Sequence, residues 1–351
     1  MIAFSNGEGG IILIGVDDAE GITGLTADDV RRLNQLISNA ASQNVKPAIN
    51  PITENIQTAE GLVLAIKISP GVNKPYNDKK GVFWVKSGSD KRRAATSREE
   101  IQRMFQYSNL LHADTVPVPS ATVADLDVEY FKEFFRLRFG EPLDMQEMPL
   151  QTMVENMNLA NNGNLTIAGV LLFARLPQFK LPAFIVKAGA FDSTHLSTSE
   201  YDDSKDISGK LADVFRQSVN FIISNLRHLQ NRQDINSVGV SEIPRESIEE
   251  IVSNALIHRD YFISAPIRIF VFRDRVEVIS PGHLPNNLTI ENIKSGNSNS
   301  RNPALASYAN HVLPYRGYGS GILRALAKYP DIEFEDDRDG NLFKVTLWRR
   351  I

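Results

Sequence analysis

The feature that most restricts this chain is the order of parts in its last third. RESIEEIVSNALIHRDY, Arg245 to Tyr261, sets Ile248, Ile251, Val252, Ala255 and Leu256 on one face of a helix. PIRIFVFRDRVEVISPG follows as two β-rich runs, joined at Arg273-Asp274 as a hairpin and closed by Pro281-Gly282. RNPALASYANHVL reads as a further helix. RGYGSGILRALAKY then alternates Gly317, Gly319 and Gly321 ahead of a helical stretch starting at Ile322, and FKVTLWRR is a last strand.

Two parts of this order can carry chemistry. Glu250 and Asn254 are four residues apart, so they share a helical face that is distinct from the apolar stripe and can line a pocket. A carboxylate and an amide oxygen so placed suit a water and a hydrated Mg²⁺, which prefers oxygen ligands and keeps several waters. The plain alternative is a solvated helix face. Gly317, Gly319 and Gly321 let backbone N–H groups approach an anion without Cβ obstruction, and the helix after them offers its N-terminal dipole. The plain alternative here is a loop before a helix cap.

At 351 residues the chain is too long for one ordinary core, and two or three domains are expected. IILIGV, Ile11 to Val16, reads as a buried strand. A helix follows with Thr26 as N-cap and Asp28 and Asp29 in its first turn. LVLAIKISPG and GVFWVKSG read as strands, and TSREEIQRMFQ as a short helix capped by Thr96 or Ser97. This α+β module spans 1–107. NLLHADTVPVPSATVADLD holds two prolines and reads as a linker. VEYFKEFFRLRFG is an amphipathic helix closed by Gly140. LTIAGVLLFA is a strand or a buried helix, PAFIVKAGAF a strand, and GKLADVFRQSVNFIISNLRHL a long helix. The expected division is an N-terminal module 1–107, a connector 108–240 and a C-terminal domain 241–351.

Composition removes several function classes. The chain has no cysteine, so disulfides, thiolate metal sites and cysteine nucleophiles are excluded. Its six histidines show no zinc spacing. No apolar run approaches the length of a membrane span and no signal peptide is readable, so a cytoplasmic protein is expected. No Gly-x₄-Gly-Lys-Ser/Thr loop exists, which argues against a helicase motor. HRDY at His258 lacks the other kinase signatures. Net charge is −4, yet Lys74 to Arg98 holds eight basic residues against Asp78 and Asp90. Lys79, Lys80, Lys86, Lys91, Arg92 and Arg93 flank Phe83 and Trp84 there. Such a segment suits phosphates, and one of the two aromatics, at most, can stack on a base. The alternative is a solvated rim over a core aromatic.

The C-terminal order resembles the GHKL ATPase superfamily. More closely, EIVSNALIHRDY, ISPGHLP, SRNPALA and GYGSGI resemble the ATP-binding-like domain of RecG-related helicases and predicted transcriptional regulators. By that resemblance Asn254 binds Mg²⁺, Glu250 activates the attacking water, and Gly282 with Gly317, Gly319 and Gly321 surrounds a nucleotide. The wider superfamily carries an Asp-x-Gly-x-Gly box after the hairpin, whose Asp reads adenine. Here Ser280-Pro281-Gly282-His283-Leu284 has no carboxylate. AFSNGEGGIILIGVDDAEGITGL and FWVKSGSDKRRAATSREEI resemble the Schlafen AlbA-like module, which implies nucleic-acid binding. Asp17 or Asp18 matches an aspartate that some relatives use in RNA cleavage, but the partner glutamates precede the motif in the family and this chain starts at Met1. The module is therefore expected to be N-terminally truncated.

The expected fold is multi-domain α+β, with an AlbA-like mixed sheet, an α/β connector and a GHKL-like α/β sandwich. The expected function is a DNA-binding transcriptional regulator controlled by a nucleotide, with ATP and Mg as cofactors, nucleic acid as partner and a homodimer as one assembly. The alternatives are a slow Mg-dependent ATPase, a nuclease in full-length form, and a dimerisation protein.

Overall fold

The computed structural model describes residues 1–17, 21–88, 90–94, 98–107, 110–196, 201–229, 240–285, 288–314, 317 and 319–349. The expected caps Thr96 and Ser97, and Asp18, lie outside the described residues. The chain is a multi-domain α+β protein that divides into two compact units, Met1–Leu111 and His112–Ile351.

In the first unit, a three-stranded antiparallel sheet has Leu62–Ile68 at its centre, between Gly10–Ile14 and Ile52–Gln57. Helix Ala27–Asn39 starts where the sequence places it: Thr26 Oγ1 accepts from the Asp29 amide, and the Asp29 carboxylate bonds back in a capping box. Its Ile37 packs on Leu64, Ile66 and Ile68, with Phe4, Ile12 and Ile14 around them. The strand expected to be buried is instead an edge strand, with Ile11 60% and Leu13 50% exposed. An all-apolar run leaves no alternation from which to tell one buried face from two.

The FSNGEGG signature of this unit has a packing explanation. Asn6 Nδ2 donates to the carbonyls of Tyr76 (2.8 Å) and Trp84 (2.9 Å), and Asn6 Oδ1 accepts from the Tyr76 amide (2.7 Å). One side chain thus ties the short helix Ile2–Asn6 to two segments 70 and 78 residues away. A Cβ on Gly10 would stand 2.2 Å from the Phe4 ring, and one on Gly9 would stand 2.6 Å from the Ile68 carbonyl.

The second unit holds a six-stranded sheet in the order Asp203–Ile207, Val186–Ala190, Ile267–Val271, Arg275–Pro281, Leu342–Trp348 and Ile332–Asp337. Val186–Ala190 pairs parallel with Ile267–Val271, and the other pairings are antiparallel. Because strands from both sides of residue 240 share one sheet and one core, the connector and the C-terminal domain form a single unit. The expected linker is also structured. Pro117–Thr122 is a strand, and Ala113, Val118, Ala121 and Leu126 are buried. Its prolines are tolerated because the strand lies at the edge of its sheet. LTIAGVLLFA resolves as the wholly buried helix Ile167–Phe173 behind a short strand, Asn164–Thr166.

Helix Arg245–His258 packs against the sheet strand Arg275–Pro281 and the helices Leu211–Ser224 and Gly321–Lys328. Burial of Ile248, Ile251, Val252 and Leu256 contributes about 2 kcal/mol each. Being covered on several sides, the helix also buries Ser247, Glu250 and Ser253. The Ser247 hydroxyl donates to the Ala325 carbonyl at 3.1 Å, joining it to Gly321–Lys328. Asn302 holds its end, donating to the carbonyls of Ile257 and Arg259 at 2.8 Å each. That is the structural meaning of the RNP sequence.

Candidate functional site

An open cleft of about 1000 Å³, counting the solvent at its mouth, lies in the second unit. Glu250, Asn254, Gly282, Gly317, Gly319 and Gly321 all line it, so the structure brings together every C-terminal residue singled out in the sequence. Its apolar lining includes Val278, Leu284, Phe334, Phe343 and Val345. Apolar with a few converging polar groups, the cleft has the make-up of a small-molecule site.

The glycines are needed for different reasons. Gly282 has φ +98, and a Cβ there would stand 2.4 Å from the Arg301 guanidinium and 2.6 Å from Asp260 Cβ. Gly319 has φ +70, and its Cβ would stand 2.3 Å from the Gly296 carbonyl. Gly321 opens helix Gly321–Lys328, and its Cβ would stand 2.5 Å from Glu250 Oε2. Its bareness lets the helix start lie directly over Glu250 and Asn254.

Asn254 Nδ2 donates to the Glu250 carbonyl at 2.7 Å, which leaves its Oδ1 as the group with open coordination. Glu250 is less open than the sequence suggests. Its Oε1 accepts from Arg324 Nε at 2.9 Å and from Arg324 Nη2. Its Oε2 is buried without a hydrogen-bond partner among the described residues. Asn254 Oδ1 fits an oxygen-preferring, largely hydrated Mg²⁺ carried in with phosphates. It does not make a dedicated protein cage: no group of three or more His, Cys, Asp or Glu that could hold a metal occurs among the described residues.

Three cleft residues escaped the sequence reading. Arg324 stands three positions after Gly321, as a charge beside Ile322, Leu323 and Ala325. That isolated charge was the available signal. His258 also lines the cleft, and burial, with Arg301 adding to it, pulls its imidazole down to about 4, so it is neutral at pH 7. His283 is lowered too, chiefly by burial. In the sequence, HRDY and SPGHL give neither histidine a role of its own.

The basic segment of the first unit forms a hairpin, Trp84–Ser87 with Asp90–Arg93. Directly opposed residues share a face, so Trp84, Arg93, Lys86 and Lys91 stand together, while Arg92 lies opposite Val85 on the other. Lys79 and Lys80 lie apart, exposed in the turn after Asp78. The Trp84 indole donates to Asp78 Oδ2 at 3.0 Å and, with the Val82 and Lys80 amides, holds that carboxyl below the usual carboxylate range. Lys91 Nζ and Arg93 Cζ lie 5.3 and 5.6 Å from the indole centroid, and Lys86 Nζ lies 4.9 Å from the Phe4 ring. The chain's own cations already occupy the aromatic faces, so this surface offers charge rather than a bare stacking platform. Phe83 packs edge-on against Phe105. Asp17 Oδ1 accepts from the Gly21 amide at 2.8 Å, a turn-holding contact.

Residues 1–95 match the family model described as Schlafen, AlbA_2. Residues 264–347 match the one described as putative ATP-dependent DNA helicase recG C-terminal, a stretch that includes the glycine loop and begins after Glu250 and Asn254. No curated protein matches significantly. Among solved structures, the DIP2311 protein from Corynebacterium diphtheriae is similar at 23% identity and a TM-score of 0.49, over 99% of this chain and 68% of that one. No helix among the described residues is long and apolar enough to cross a membrane.

Proposed function

We propose that this chain, which joins a Schlafen AlbA_2 domain to a recG C-terminal-type ATPase-like domain, is a DNA-binding transcriptional regulator whose C-terminal cleft takes a purine nucleotide with Mg²⁺. The observation that carries the reading is the convergence of Glu250, Asn254, Gly282, Gly317, Gly319 and Gly321 on one cleft with an apolar wall. In this reading the apolar wall receives the base, and the uncapped start of helix Gly321–Lys328 and the glycine loop receive the phosphates. Asn254 Oδ1 meets the hydrated cation. The cation supplies charge neutralisation for the phosphates, while the chain's residues position and enclose them.

DNA contact is assigned to the face bearing Lys86, Lys91 and Arg93, with Lys79, Lys80 and Arg92 as outlying cations. Contacts of this kind read phosphate, so affinity falls with salt and carries little sequence information. The reading stops at binding and control: in the ligand-free protein the carboxylate that would activate water is paired with Arg324. Self-association belongs to the reading too, and light scattering of the full chain measures it. Fluorescence anisotropy with duplex DNA at several salt concentrations tests the DNA assignment. The expected result is a steep salt dependence that becomes shallower in Lys86→Glu/Lys91→Glu. Binding that ignores both salt and substitution would overturn it.

A further inference from the structure

Arg324 is the one lysine or arginine among the described residues lining the cleft. All three of its guanidinium nitrogens are engaged. Nε and Nη2 reach Glu250 Oε1, and Nη1 donates to Ser320 Oγ at 2.6 Å. Ser320 is the N-cap residue of helix Gly321–Lys328, yet it makes no side-chain cap. Its hydroxyl serves Arg324 instead, so the first N–H groups of an eight-residue helix face the cleft without a capping side chain. Glu250 is 8% exposed, and its Oε2 finds no partner among the described residues.

A triphosphate entering this cleft meets a difficulty that the geometry itself resolves. Its end is strongly anionic, and Glu250 is an anion at the site where the phosphates arrive. The planar fork of Arg324 can bond two oxygens of a phosphate as well as it bonds a carboxylate. Arg324 is also the more open partner, with its side chain 32% exposed against 10% for Glu250, so it is the one able to swing. We propose that Arg324 is the terminal-phosphate ligand of this cleft and that Glu250 holds it in the ligand-free protein, so that phosphate capture and release of Glu250 are a single exchange. The exchange rests on the nucleotide-binding reading above and adds its control. An empty cleft keeps the carboxylate neutralised by its partner; a filled one frees it.

The exchange makes Glu250 a competitor of the ligand, which a double-mutant cycle detects. Calorimetric titration of the full chain with ATP and with ADP, both with Mg²⁺, is the experiment. Arg324→Ala is expected to weaken ATP binding about tenfold or more and to erase any preference for ATP over ADP. Glu250→Gln is expected to tighten ATP binding in the wild-type background and to change nothing in the Arg324→Ala background. Arg324→Gln takes the place of the alanine variant if that protein fails to fold. Equal tightening by Glu250→Gln in both backgrounds would mean plain charge repulsion and overturn the exchange. So would wild-type affinity in Arg324→Ala, and in either case the nucleotide reading would stand. No binding by the folded wild type or by any variant would overturn that reading and the exchange with it.

Discussion

Two glycine signatures mark this chain, one in each unit, and they answer to different demands. Gly9 and Gly10 close against protein: a Cβ there meets the Ile68 carbonyl or the Phe4 ring. Gly321 closes against the far end of a flexible side chain, Glu250 Oε2, at the edge of a cleft. Gly319 stands between these cases, since it lines the cleft but is pinned by the Gly296 carbonyl. A glycine pattern in a sequence therefore says only that something approaches the backbone closely. Whether that something is the protein's own core or a ligand is decided by what lies opposite.

The comparison can be broken by substitution. The largest effect is expected from Gly10→Ala, where the ring of Phe4 and the strand cannot both stay in place. We expect more than about 3 kcal/mol of lost stability in the first unit, with the second unit's transition unmoved. Chemical denaturation followed by hydrogen exchange separates the two transitions. Asn6→Ala comes next, at about 2–3 kcal/mol, because it removes three bonds and leaves buried backbone groups unpaired.

Acid is a weaker probe and acts on the second unit. His258 titrates near 4 when folded and near 6.5 when unfolded, so below pH 6.5 the unfolded chain binds its proton first. Stability of that unit is expected to fall as pH drops from 6.5 toward 4, by up to about 2 kcal/mol at pH 5. His283, also lowered, adds in the same sense, and Asp114, raised by burial, opposes it. Thermal melts of wild type against His258→Asn read the difference, and an unchanged pH slope in the variant would reject the assignment.

The smallest stability effect sharpens the contrast most. Gly321→Ala should leave folding within about 1 kcal/mol, since alanine suits a helix and Glu250 can shift, yet it should weaken nucleotide binding about tenfold. A collapse in stability there would erase the distinction between the two signatures.

Much of this was legible in the sequence, and the failures have identifiable causes. Local signals held: the Thr26 N-cap, the closing Gly140, left-handed at φ +81, and the hairpin at Arg273-Asp274 all form as read. Long-range ones did not. Nothing local tells that Val186–Ala190 pairs with Ile267–Val271, so one unit was read as two. Pro117 and Pro119 suggested a linker because an edge strand, where proline is harmless, cannot be told from a loop without its neighbour. In the cleft, Glu250 and Asn254 were found from helical spacing and the glycines from their pattern. Arg324 was missed because its meaning lies in a partner 74 residues away.

Everything said of the second unit turns on nucleotide binding in its cleft. Titration calorimetry of the full chain with Mg²⁺ and ATP, wild type beside Asn254→Ala, measures that binding. Affinity in the micromolar range is expected, abolished or severely weakened by the substitution. No heat from a folded wild-type protein at millimolar ATP would contradict it, and would leave the glycine loop as a packing element like its N-terminal counterpart.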